Sequence, residues 1–187
     1  MIKNYDTNID IEKSIEIGRV VYYNRLSHFV FDKLIYIFFV LLFTYVFIRD
    51  QLLYDSLNSI DNLLNFNFFL LIAFSFLTIS AFRADKLRRV RGLNEELNRD
   101  FILEVMVAIK WETRSSSTKL TVAEPDSAYQ WNGGVQFTVI YDNADVLINC
   151  TTYHFGNAVS PVHFINNRIA RWELTKEFNK KIKKNSA

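Results

Sequence analysis

The sequence predicts a membrane protein in which a two-helix transmembrane hairpin precedes a cytosolic α+β domain. The hairpin is indicated by two apolar stretches, 34–48 and 62–82, neither of which contains a charged residue. The domain is indicated by the chain beyond residue 93, where a four-residue apolar repeat gives way to alternating apolar and polar residues. The repeat is typical of an amphipathic helix, and the alternation is typical of half-buried strands.

Composition narrows the possible classes of protein. Half of the 187 residues are apolar, which excludes a disordered chain, and the length suits one membrane unit with one small domain. The formal net charge of +2 is too small to indicate a nucleic-acid groove, so we expect no nucleic-acid partner. A single cysteine, Cys150, cannot form an internal disulfide and is compatible with a reducing compartment.

Residues 1–33 are predicted to form a cytoplasmic or interfacial amphipathic segment. The spacing of Ile11, Ile15 and Val20 suits a helix, whereas residues 14–22 (SIEIGRVVY) also alternate like a strand. A helix that runs into the membrane is favoured, and a strand within 9–31 stays an open alternative. No small-residue cleavage site follows the first apolar run, which argues against a signal peptide.

The two apolar runs are interpreted as membrane spans joined by a connector at 49–61. A spanning helix needs about 20 apolar residues; the second run meets this, and tilting or local thinning of the bilayer accommodates the shorter first run. The alternative is a pair of buried helices in a globular protein, but long charge-free runs suit lipid better. A membrane-flanking basic cluster follows the second run: Arg83, Lys86, Arg88, Arg89 and Arg91.

The basic cluster also predicts the orientation. Lys and Arg mark the cytoplasmic side of a span, so both termini are expected in the cytoplasm and the connector outside. This places the protein in a bacterial inner membrane, with the lipid bilayer as one partner. The same cations suit anionic lipid head groups.

The segment 93–187 is predicted to form the cytosolic domain. A helix from Leu93 to Lys110 precedes a four-stranded antiparallel meander, and a second helix runs from Phe164 to Ile182. Together they make a two-layer α+β domain, with a pleckstrin-homology-like domain as the alternative fold. The expected core aromatics are Trp111, Trp131, Phe137, Trp172 and Phe178.

Several short motifs carry a resemblance. They are Ile109-Lys110-Trp111, the turn Trp131-Asn132-Gly133-Gly134, the strands VQFTVIYDN and VLINCTTY, and Asn166-Asn167-Arg168 at the start of the last helix. In these motifs the region from Leu97 to Phe178 resembles the cytosolic domain of uncharacterised bacterial membrane proteins of the Bacteroidota type. The resemblance implies the hairpin-plus-domain architecture and no chemical activity.

Candidate chemical groups are few. Cys150, His154 and His163 are possible zinc ligands, because Cys150 and His154 share one face of a predicted strand. Their spacing matches no compact zinc signature, so no metal is predicted, and buried or surface side chains are the favoured interpretation. No phosphate-loop, dinucleotide or zinc-protease motif is present, so no catalytic residue or cofactor is predicted.

These observations predict an adaptor or accessory protein, anchored in the inner membrane, whose cytosolic domain binds a protein partner or the membrane face. One alternative is an immunity protein that guards against a membrane-acting toxin. Another is a membrane-tethered hydrolase or metal protein that uses the three candidate ligands. The apolar runs lack a G-x-x-x-G motif, so tight homodimerisation through them is not indicated, and the oligomeric state is left open.

Overall fold

One antiparallel sheet of five strands organises the computed structural model, which describes residues 9–23, 34, 37–49, 61–125, 134–153, 160 and 162–185. The strand order is β1-β5-β4-β3-β2. The strands are β1 Arg88–Arg91, β2 Trp111–Ser116, β3 Leu120–Pro125, β4 Val135–Asp142 and β5 Asp145–Thr152. The helices are α1 Ile11–Ile17, α2 over 37–49, α3 Asp61–Arg83, α4 Glu95–Ala108 and α5 Phe164–Asn185.

Strands β2 to β5 are consecutive neighbours in space, as in the predicted meander. The β4–β5 hairpin closes at the pair Asp142 and Asp145, with Asn143 in the left-handed region at φ 54°, which Asn tolerates better than most residues. The prediction of four strands was wrong, because the basic segment before residue 93 forms β1 and pairs with β5.

Helices α4 and α5 cover one face of the sheet. Apolar residues of α4 recur every three to four positions, which places them along one side of the helix. Asn94 begins this helix, since its side chain accepts a hydrogen bond from Leu97 N at 2.9 Å. The core between the helices and the sheet is fully buried, and its largest members include Ile102, Met106, Phe137, Tyr141, Leu174 and Phe178.

Residues 9–23 cover part of the opposite face. Asp10 begins α1 by accepting a hydrogen bond from Lys13 N at 3.0 Å, and Gly18 ends it at φ 70°. Beyond Gly18 the chain is extended, and Val20 N donates to Asp85 O at 2.9 Å. The long N-terminal helix that we favoured was therefore wrong, since helix gives way to a strand-like segment; residues 24–33 lie outside the described part of the chain.

Helices α2 and α3 pack side by side through phenylalanine rings. Phe43 stacks on Phe74 with ring centroids 4.6 Å apart, and Phe47 lies 6.2 Å from Phe68. The contacts run in opposite directions along the two helices, which makes the pair antiparallel. Their outer faces are apolar and exposed.

The predicted transmembrane hairpin is contradicted, because no helix in the described ranges is long and apolar enough to cross a membrane. Near the end of α3, Ser80 and Ala81 are buried. The same finding contradicts the inner-membrane localisation, and the orientation, that were inferred from the hairpin.

Candidate binding groove

A groove runs between strand β1 and helix α5, at the edge of the sheet. Helix α5 packs on β5, so its outer side faces β1, which is the next strand along. The groove has a volume of about 290 Å³. We call it the basic groove, and its lining residues are Arg88, Trp172, Thr175, Lys176, Asn179, Lys180 and Lys183.

The helical period brings the α5 residues of the groove together. Trp172, Lys176, Asn179 and Lys183 are separated by three or four positions, so they lie along one side of the helix. Leu174 and Phe178 lie on a different side and are fully buried in the core. The buried side therefore fixes the rotation of α5 and holds the groove residues at the surface.

Most cations of the groove have no acidic partner in the described part of the chain. Lys180 pairs with Glu177 at 2.6 Å. Among the residues that the structure describes, no carboxylate lies within ion-pair distance of Arg88, Lys176 or Lys183. The groove therefore carries a net positive charge, which attracts anionic groups.

Trp172 gives the groove an aromatic wall. Its side chain is 51% exposed, although a tryptophan of this helix was expected in the core. The Lys176 ammonium lies 4.8 Å from the ring centroid, within the range of a cation–π contact. The ring therefore supplies an apolar contact surface beside the cations.

Positive charge continues from the groove along α5. Arg171 donates to Lys86 O at 3.2 Å, and its Nε is buried without a hydrogen-bond partner in the described chain. Burial lowers the pKa of Arg171, and the nearby cations Arg88 and Arg168 lower it further. An arginine stays protonated even so, which makes this a second concentration of cations beside the groove.

The five residues of the predicted basic cluster do not act together, because they make different contacts. Arg83 ends α3, Lys86 forms an isolated bridge with Arg19, and Arg88 lines the groove. Arg89 donates to Asp142 at 3.0 Å and to Asp145 at 2.8 Å, and Arg91 lies 3.6 Å from Asp145. The hydrogen bond that Arg89 donates to Asp145 contributes most to raising the pKa of Arg89. Only Arg88 of the five faces the groove.

The candidate metal ligands do not form a site in the described part of the chain. The Cys150 thiol is buried and donates to Asn167 Oδ1 at 4.0 Å, and burial raises its pKa, which keeps it protonated. His163 Nδ1 lies 2.7 Å from Ser160 Oγ. His154 lies outside the described residues, and none of the described His, Cys, Asp and Glu residues form a group of three that could hold a metal ion.

The comparisons provide no relative. Neither family models, curated proteins nor solved structures gave a match to this chain. The resemblance to bacterial membrane proteins of the Bacteroidota type consequently stays a prediction, and the geometry of the groove is the basis for assigning a function.

Sequence reasoning missed the groove as a unit. Thr175 and Asn179 were not singled out, and Arg88 was assigned to a membrane flank. The available signal was the spacing of one tryptophan and two lysines on α5, which lie four and seven residues apart and therefore on one side of the helix. The contribution of β1 depends on its pairing with β5, which no local pattern revealed.

Proposed function

We propose that this protein is an adaptor that binds an acidic segment of a partner protein in the basic groove. The proposal is based on three cations, Arg88, Lys176 and Lys183, which surround an exposed tryptophan and have no acidic partner among the residues that the structure describes. Carboxylates of a partner would supply the missing counter-charges, and Trp172 would supply apolar contact area. Tryptophan and arginine are the residue types enriched where protein interfaces gain most of their binding energy.

The groove favours a protein segment over a buried small molecule. Its volume of about 290 Å³ is at the lower end of ligand pockets, and Lys176, Asn179, Lys180 and Lys183 are all exposed or half-buried. Long cationic side chains at an open rim contribute more to association rate and specificity than to affinity. Such a surface suits a reversible protein contact.

The helix pair α2–α3 supplies a second surface of different character. Its outer side chains are large, apolar and more than half exposed, and include Phe38, Leu41, Tyr45, Ile48 and Phe69. Monomeric soluble proteins rarely expose contiguous apolar patches larger than a few hundred Å². An adaptor must contact two different partner surfaces at once. An apolar surface and a separate charged groove on one chain meet this requirement.

The proposal is tested with a fluorescent acidic peptide, whose binding to the full chain is measured by anisotropy. Lys176→Glu and Lys183→Glu are each expected to weaken binding about fivefold, because an exposed ion pair is lost and a repulsion is added. Raising the salt concentration should weaken binding by the wild-type protein as well.

The matched control is Lys13→Glu, which reverses the charge of an exposed lysine on α1, away from the groove. This variant should bind the peptide as the wild-type protein does. Equal weakening in all three variants would indicate a non-specific charge effect and contradict the proposal. So would a peptide that fails to bind the wild-type protein at low salt.

A further inference from the structure

Strand β1 lies at one edge of the sheet, and β5 is its only partner strand among the described residues. Backbone groups of successive residues in a strand point to opposite edges. Gly92 N donates at 2.7 Å to the carbonyl of the β4–β5 turn, which defines the inner edge, whereas Leu87 N donates to Gly18 O at 3.0 Å on the outer edge. The backbone groups of Arg89 and Arg91 therefore point outward.

These outward groups are not paired with any backbone that the structure describes. The preceding part of the same edge is occupied, since Val20 N donates to Asp85 O at 2.9 Å. Pairing thus stops after Leu87, and two residues of strand edge, Arg89 and Arg91, continue beyond it. An unpaired edge of this kind is a template on which an extended peptide adds as a further strand.

The charges on β1 determine what kind of strand can pair with this edge. Three of its four side chains are arginines, Arg88, Arg89 and Arg91. A second copy of the same strand would place arginine near arginine, which destabilises pairing, whereas carboxylates near the arginines stabilise it. A second copy of β1 is therefore disfavoured at this edge, and an acidic strand is favoured.

The two faces of β1 differ in how far their charge is already compensated. Arg88 lines the basic groove together with Lys176 and Lys183. Arg89, on the opposite face, already donates to both aspartates of the β4–β5 turn. Side chains of an added strand alternate between the faces, so acidic residues are needed only at every second position, on the groove side.

We propose that an extended acidic segment of the partner protein pairs with the outer edge of β1 as a sixth strand. Its backbone bonds to Arg89 and Arg91, and alternate carboxylates enter the groove beside Lys176 and Lys183. This inference rests on the proposed function, since it specifies the conformation and the charge pattern of the same partner segment.

The probe is a short labelled peptide with Glu at alternate positions and Thr between them. Two N-methylated isomers carry methyl groups on alternate amides, so that each isomer blocks one edge of the peptide strand while the protein stays unchanged. One isomer is expected to bind about tenfold more weakly, because its hydrogen bonds to β1 are lost, and the other should bind nearly as the parent peptide does.

Amide hydrogen exchange in the full-length protein provides an independent measurement. Binding of the parent peptide should slow exchange at Arg89 and Arg91 by about tenfold, since these amides become hydrogen-bonded. The amide of Val90, which already points toward β5, serves as the internal control and should keep its exchange rate.

The outcomes separate this inference from the proposed function. A peptide that needs Lys176 and Lys183 for binding, yet tolerates both methylation patterns and protects neither arginine amide, would overturn strand addition and leave the adaptor proposal intact. A peptide that does not bind at all overturns both.

Discussion

Asn98 fills the space beside Gly92 that a side chain on that glycine would need. Its Oδ1 accepts a hydrogen bond from Leu93 N at 2.8 Å, and the residue is fully buried at the start of α4. The contact fixes the turn that leads from β1 into α4. The position of β1, and with it the position of Arg88 in the groove, depends on this turn.

Gly92→Ala is expected to lower the free energy of unfolding by about 1–3 kcal/mol, because Asn98 must move from a buried, hydrogen-bonded position. Urea denaturation measures the change. Gly134→Ala is the matched control, since a β-carbon there meets no atom within 4 Å. Equal effects of the two substitutions would show that the turn does not depend on the close contact.

Patterns that depend on neighbouring residues could be predicted from the sequence. The apolar repeat of α4 and the alternation of β4 and β5 identified these elements to within about two residues, which is the usual uncertainty of helix boundaries. Strand β1 was missed because RRVR is short, contains three arginines and shows no apolar alternation. Its strand conformation follows from pairing with β5, which is a tertiary contact.

Composition could not predict which parts of the apolar helices are buried, or that Trp172 is half exposed. The end of α3 belongs to the folded domain, because Ser80 and Ala81 are buried there and Arg19 donates to Phe82 O at 3.1 Å. A charge-free run gives no indication of such contacts. The exposure of Trp172 is determined by the rotation of α5 about its axis, because Leu174 and Phe178 define the buried side of this helix.

Trp172 and Phe178 of α5 should respond differently to truncation. Phe178→Ala is expected to cost about 3–5 kcal/mol of stability, because a fully buried ring leaves a cavity. Trp172→Ala should cost about 1 kcal/mol or less, since half of its side chain is exposed. Thermal denaturation measures both, and a larger loss for Trp172→Ala would place that residue in the core.

The Cys150 thiol should make stability fall in alkaline solution. Burial raises its pKa in the folded state, whereas an unfolded thiol ionises near its ordinary pKa of about 8.5. The folded state then retains a proton that the unfolded state releases, so the stabilising contribution is complete below about pH 8.5 and is lost as the pH rises toward the folded-state pKa.

The comparison of wild type with Cys150→Ala isolates this effect. Between about pH 7 and about pH 10, the wild-type protein should lose about 2 kcal/mol more unfolding free energy than the variant. Tyr141 is also buried with a raised pKa, but it is present in both proteins and its contribution cancels. Parallel pH profiles would contradict a buried, protonated thiol.

The location of partner binding is measured most directly by NMR of protein labelled with ¹⁵N-tryptophan. Trp172 lies in the groove, whereas Trp111 lies in β2 at the other edge of the sheet, with its ring 4.2 Å from that of Phe137. Titration with the acidic peptide should shift the Trp172 indole resonance until the shift saturates, while the Trp111 resonance stays in place. In Lys176→Glu the same titration should leave the Trp172 resonance unshifted. A shift at Trp111 with Trp172 unmoved, or no shift at either ring, would contradict the assignment of the basic groove as the binding site.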